Sequence, residues 1–75
     1  MKNKNWKKDF YYVGDFCEGR AVVGRDWKYG HVDMAGNLIG EGNVWTRAWD
    51  FLEGKAMVAD HGDIFHIDLN GKITS

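Results

Sequence analysis

Two residue pairs in this chain have the types and the spacing for metal chemistry. His31-Val32-Asp33 and His66-Ile67-Asp68 each set an imidazole and a carboxylate two positions apart. On a β-strand, residues i and i+2 project from one face, so each pair points one way. If the two strands lie side by side, two His and two Asp could surround a divalent transition metal, and His61 could add a ligand. A structural reading accounts for the same residues. An Asp that opens a turn accepts hydrogen bonds from the amides that follow it, and an imidazole packs well on aromatic rings. The structural reading is preferred: no metal ligand and no cofactor is assigned, and a metal-binding β module stands as an alternative.

Glu18-Gly19 and Glu53-Gly54 could be paired carboxylates for acid–base work. They read more simply as turns, in which glycine supplies the backbone freedom and glutamate caps or faces solvent. Cys17 is the only cysteine. It cannot form an internal disulfide, and it is expected as a small buried hydrophobe in a reducing compartment. The only serine is Ser75, with no base paired to it in a recognisable way. The expectation is therefore a protein that is not an enzyme.

Binding chemistry is better represented. Arg25-Asp26-Trp27-Lys28-Tyr29 puts a tryptophan between cations at a turn. Exposed Trp and Arg anchor many interfaces, so Arg25, Trp27, Lys28 and Tyr29 are candidate binding residues. The competing expectation is that Trp27 folds back onto its own sheet. Trp45 and Trp49 fall between two similar stretches and are candidates for core or subunit interface.

The elements that must hold these residues follow from an internal repeat. Asp15-Phe16-Cys17-Glu18-Gly19-Arg20-Ala21-Val22-Val23 matches Asp50-Phe51-Leu52-Glu53-Gly54-Lys55-Ala56-Met57-Val58 at an offset of 35 residues. His31, Asp33 and Gly36 match His66, Asp68 and Gly71 at the same offset, giving nine identities between 10–40 and 45–75. The expected organisation is a basic lead over 1–9, a first repeat over 10–40 and a second over 41–75, all one structural domain. Within each repeat a strand (20–24, 55–59) is followed by a short turn and a returning strand (29–33, 64–68). An Asp-x-x-Gly turn then opens a third strand (37–39, 72–74). Residues 11–13 and 44–49 are extended lead-ins, and Phe16 and Phe51 are core anchors. The fold class is all-β: two tandem antiparallel β-meander repeats of about 35 residues, forming a small twisted sheet or barrel-like domain.

This unit resembles the WG repeat, also called the KWG repeat. The lead-ins at Asp15–Val23 and Asp50–Val58 carry the resemblance. The first hairpin, Trp27-Lys28-Tyr29-Gly30-His31-Val32-Asp33, keeps the family's Lys-aromatic-Gly and final Asp, with His31 where tyrosine is usual. The second, Asp63-Ile64-Phe65-His66-Ile67-Asp68, lacks the Trp-Gly pair. The resemblance implies a β-rich, mostly bacterial scaffold or interaction module with no catalytic residues to carry over.

Composition agrees with strands joined by glycine turns: four Trp, four Phe, three Tyr, ten Gly and no Pro. Net charge is −1, but residues 9–75 hold six Lys or Arg against eleven Asp or Glu, a balance of −5. That excess argues against a nucleic-acid partner. No run approaches the roughly 20 apolar residues of a membrane span, and no apolar segment follows the first lysines as in a signal peptide. A cytoplasmic protein with a protein partner is expected. Two repeats are few for a stack of this kind, so the aromatic excess predicts a homodimer, with the lead as a possible cap. Two further readings stand beside the interaction module: a small inhibitor-type protein that blocks a host or enzyme surface, and a carbohydrate-binding module.

Overall fold

The computed structural model describes residues 5–40 and 44–74. Lys2 and Lys4 of the lead, residues 41–43 at the start of the second repeat, and Ser75 lie outside them. A short 3-10 helix spans Trp6–Asp9. Six strands follow: β1 (Tyr12–Val13), β2 (Ala21–Arg25), β3 (Lys28–Val32), β4 (Arg47–Ala48), β5 (Lys55–Asp60) and β6 (Asp63–Asp68). They form two three-stranded antiparallel sheets, ordered β1-β2-β3 and β4-β5-β6.

The registers of the two sheets superpose by the sequence offset. Val13 opposes Val23 as Ala48 opposes Val58, and Val22 opposes His31 as Met57 opposes His66. The expected third strands are shorter than the sequence pattern suggests. Each is reduced to one bridge, Leu38 to Val32 and Ile73 to Ile67. The Asp-x-x-Gly turn before it draws the chain close: the Asp33 carboxylate accepts from the Ala35 and Asn37 amides, and Asp68 does the same for Asn70 and Lys72.

Each module has its own apolar cluster. Ala21, Val23 and Val32 pack with Trp6, and Phe16 and Leu38 lean on them. Phe51, Ala56, Val58 and Ile67 pack with Trp45, backed by Ile39 and Phe65. The lead is thus not wholly solvated: Trp6 is buried against Phe16, edge to face at 6.1 Å.

The opposite face of the first sheet meets the second module. Val22 and His31 are cross-strand neighbours, so they share that face, and both are buried. The edge of β3 pairs with the second module through Tyr29 and Trp45, whose amides each donate to the other's carbonyl at 2.7 and 2.6 Å. The Arg20 guanidinium donates to the Leu69 carbonyl at 3.0 Å. Gly71 lies against Gly40, where an added Cβ would stand 2.5 Å from the Gly40 nitrogen.

That last contact separates two glycines of equal backbone conformation. Both Gly62 and Gly71 are left-handed, at φ 90° and 84°. Gly62→Ala meets nothing within 4 Å and is expected to cost about 1 kcal/mol of left-handed strain. Gly71→Ala adds a collision with backbone that cannot rotate away. Its melting temperature in a thermal scan should fall more than twice as far as that of Gly62→Ala.

Candidate functional site

The β2–β3 hairpin turns through two residues, Asp26 and Trp27, both left-handed at φ 54° and 67°. Such two-residue turns suit the twist of antiparallel strands and favour Asn or Asp followed by Gly. The second module obeys the preference at the second position, with His61-Gly62. The first does not. Trp27 occupies the position of Gly62, at a strain of about 1 kcal/mol, and its side chain packs on nothing that would offset this: the residue is 95% exposed. Trp27 therefore does not fold back onto the sheet.

The cations beside it also carry a local cost. Arg25 sits directly opposite Lys28, the closing pair of the hairpin, and like charges so placed repel. Arg25 finds partial relief from the Asp26 carboxylate at 3.8 Å and from the Phe10 ring at 5.8 Å. The second hairpin repeats the arrangement with the sign reversed, Asp60 opposite Asp63.

Tyr11, Tyr12 and Tyr29 complete the surroundings. Together with Arg25, Trp27 and Lys28 they line a cleft of about 370 Å³. The Tyr29 ring lies across Gly24, where an added Cβ would be 2.8 Å from it. Tyr11 is 91% exposed. A second cleft, about 290 Å³, shares Tyr12 and Tyr29 and continues to Arg47, Trp49 and Asp50. An aromatic face edged by both cations and the acids Asp26 and Asp50 thus runs from Trp27 to Trp49. Of the four sequence candidates, Arg25 and Lys28 touch its edge but, as the pair next to Gly24–Tyr29, send their side chains to the other side of the hairpin, where Arg25 meets Phe10. Trp27 and Tyr29 lie on the face itself. So does Trp49, which is 42% exposed, whereas Trp45 is buried in the second core against Phe65.

Tyr11, Tyr12 and Arg47 were not singled out by sequence. Tyr11 and Tyr12 read there as part of the extended lead-in over 11–13. Simple alternation does not separate them: Phe10 and Val13 pack on the first core, while Tyr11 and Tyr12 between them both turn out.

Several of the residues considered for metal and acid–base chemistry are engaged elsewhere. His31 is only 2% exposed. Its Nε2–H donates to the Trp49 carbonyl at 2.7 Å, and its ring meets Phe51 edge to face at 4.8 Å. Asp33 and Asp68 hold their turns. Among the described residues, no three His, Cys, Asp or Glu gather as a metal site would require. The Glu18 carboxylate accepts from the Glu53 and Gly54 amides of the second module. Cys17 is half-buried rather than enclosed. Desolvation first, then the nearby Asp50 carboxylate, raises its pKa. The thiol stays protonated, which opposes a nucleophilic role. Comparison with protein-family models, with curated proteins and with solved structures finds no match to this chain.

Burial of His31 gives the fold a pH dependence. Desolvation lowers its pKa below the ordinary 6.5, against a smaller upward pull from the Trp49 carbonyl and Asp50. The unfolded chain takes up a proton as the pH falls through 6.5, and the folded chain resists it. The His31 contribution is therefore complete above that value and is lost as the pH drops below it. The melting temperature should fall between about pH 7.5 and about pH 5.5, and His31→Gln, which keeps a donor but no titrating group, should flatten the slope.

Proposed function

We propose that this chain is a non-enzymatic protein–protein interaction or scaffold module of the WG-repeat type. One observation carries the reading. Trp27 is fully exposed in a left-handed turn position where glycine would be more stable and where the sister module has glycine. Backbone strain held at an exposed aromatic residue is a mark of function rather than of folding. Trp, Tyr and Arg are also the residues that dominate protein interfaces. Tyr11, Tyr12 and Tyr29 supply the apolar body of the surface, and its rim carries both signs, Arg25, Lys28 and Arg47 with Asp26 and Asp50. The partner surface that fits is apolar with polar groups at its rim. A chain that blocks a host or enzyme surface would use the same face. The free Cys17 supports a reducing compartment such as the cytoplasm.

The row of exposed rings supports a second reading, in which a carbohydrate stacks on Trp27 and its tyrosine neighbours. The two readings separate on one titration. Oligosaccharide that quenches tryptophan fluorescence saturably, with the quench lost in Trp27→Gly, favours the sugar.

For the protein reading the decisive variant is also Trp27→Gly. Its stability should equal the parent's or exceed it by up to about 1 kcal/mol, since the left-handed strain is removed. Capture of the partner by the immobilised full-length chain should drop at least tenfold. A variant that is markedly less stable, or that captures the same partner equally well, would refute the assignment.

A further inference from the structure

The Glu-Gly turns are built as carboxylate receptors. In Leu52-Glu53-Gly54-Lys55 both central residues are left-handed, at φ 53° and 83°. The turn is closed by amide-to-carbonyl bonds in both directions between Leu52 and Lys55. Successive left-handed residues aim their amides to one side and form a concave anion site. The Glu18 carboxylate fills it, with Oε2 2.6 Å from the Glu53 amide and Oε1 2.8 Å from that of Gly54. Two parallel charge-assisted bonds to one carboxylate are both strong and directional.

The first module has the same receptor. Glu18 and Gly19 are left-handed at φ 55° and 79°, and Cys17 and Arg20 close the turn with the same pair of bonds. The Arg20 guanidinium donates to the Glu18 carbonyl at 2.8 Å and so places a cation beside this turn. Among the described residues, the Glu18 and Gly19 amides have no hydrogen-bond partner. One repeat further along, on the turn that the Glu18 carboxylate occupies, Glu53 carries its own carboxylate at the position matched to Glu18. It is exposed, and no bond to it is made among the described residues. The chain thus holds one filled receptor, one open receptor and one unused ligand, all of one chemistry.

A second open position follows the same offset. The edge of β3 is paired at Tyr29 by Trp45 of the next module. Ile64 is the matching residue on β6 and is 59% exposed. In a ladder of this register its amide and carbonyl point away from β5. An edge strand left in this state is a template for another chain. The residue matched to Trp45 is Phe10, whose amide already donates to the Lys7 carbonyl at 3.3 Å, so it does not repeat the Trp45 bond and the Glu53 contact carries the argument alone.

We propose that copies of this chain associate head to tail, with Glu53 of one copy seated on the Glu18 and Gly19 amides of the next. The contact repeats between molecules the one that Glu18 makes within each molecule. The occupant is a second copy because a single chain carries both halves of the contact in the geometry that already works. The Glu53 contact does not use Trp27, and it rests on the reading of the chain as an interaction module. A head-to-tail contact is heterologous, so it does not stop at two copies unless the rotation closes a ring. The expected homodimer becomes the smallest member of a series.

The test is amide NMR on the full-length chain over a dilution series, with light scattering on the same samples. The Glu18 and Gly19 amide resonances should move downfield together as concentration rises, while the mean mass climbs past that of a dimer. Glu53→Ala should abolish both changes with an unaltered melting temperature. Glu53→Gln, which keeps an acceptor but loses the charge, should weaken association about tenfold. A mass fixed at the monomer would overturn the proposal. So would a rising mass with the Glu18 and Gly19 amides unmoved, or association unchanged in Glu53→Ala. Trp27→Gly should associate like the parent chain. If it does while Glu53→Ala still captures the partner, the two surfaces are independent, and failure of one assignment leaves the other standing.

Discussion

The seating of His31 between the modules is the constraint on which the rest of the structure depends. Neither module buries both faces of its sheet alone. The first sheet turns Ala21, Val23 and Val32 to its own core and Val22 and His31 to the other side. That side needs a cover, and Phe51 with the Trp49 carbonyl provides it. A ring this deeply enclosed must be neutral and must find an acceptor for its one N–H. Meeting those demands fixes the distance and the rotation between modules. The Tyr29–Trp45 pair, the Arg20–Leu69 bond and the Gly40–Gly71 approach then fall into place at the rim. Nδ1 of His31 is the one buried side-chain polar atom left without a bond among the described residues. The site thus tolerates a small defect to keep the ring where Phe51 needs it.

Much of this was legible from residue order. The 35-residue repeat places both hairpins, and the Asp-x-x-Gly pattern places both turns, because these depend on neighbours a few positions away. Phe51 is an anchor as its repetition suggests. Contacts between modules were harder to read. His31 and His66 are identical letters, yet only one has a module lying over it. Glu18 and Glu53 differ in the same way. A repeat describes a unit, and the role of a residue at a module boundary depends on which side is occupied.

The aromatic residues show a second limit. Trp45 and Trp49 look alike in sequence, four positions apart in an extended segment. An even spacing on one regular strand would put both on one face, yet one enters the second core and the other lines the surface, because the segment bends at Thr46 and is a strand only over Arg47–Ala48. Trp27 was recognisable as a tip residue from its flanking turn letters. Its exposure was not, because the alternative of folding back depends on whether the sheet offers a vacant hollow. Gly24 beneath Tyr29 fills that space with the chain's own ring.

The reversed signs of the two hairpin ends have a consequence for encounter rather than for binding strength. Arg25 and Lys28 stand at one tip, and Asp60 and Asp63 at the other. The chain is nearly neutral overall, so a charged body at a distance exerts little pull on it and mainly a torque. An acidic surface attracts the Arg25–Lys28 tip and repels the Asp60–Asp63 tip, and a basic one does the reverse, so the sign of the surface biases the alignment at encounter. That alignment reaches only about 10 Å at ordinary ionic strength. It should accelerate productive collisions in dilute salt and leave the lifetime of the complex largely unaltered.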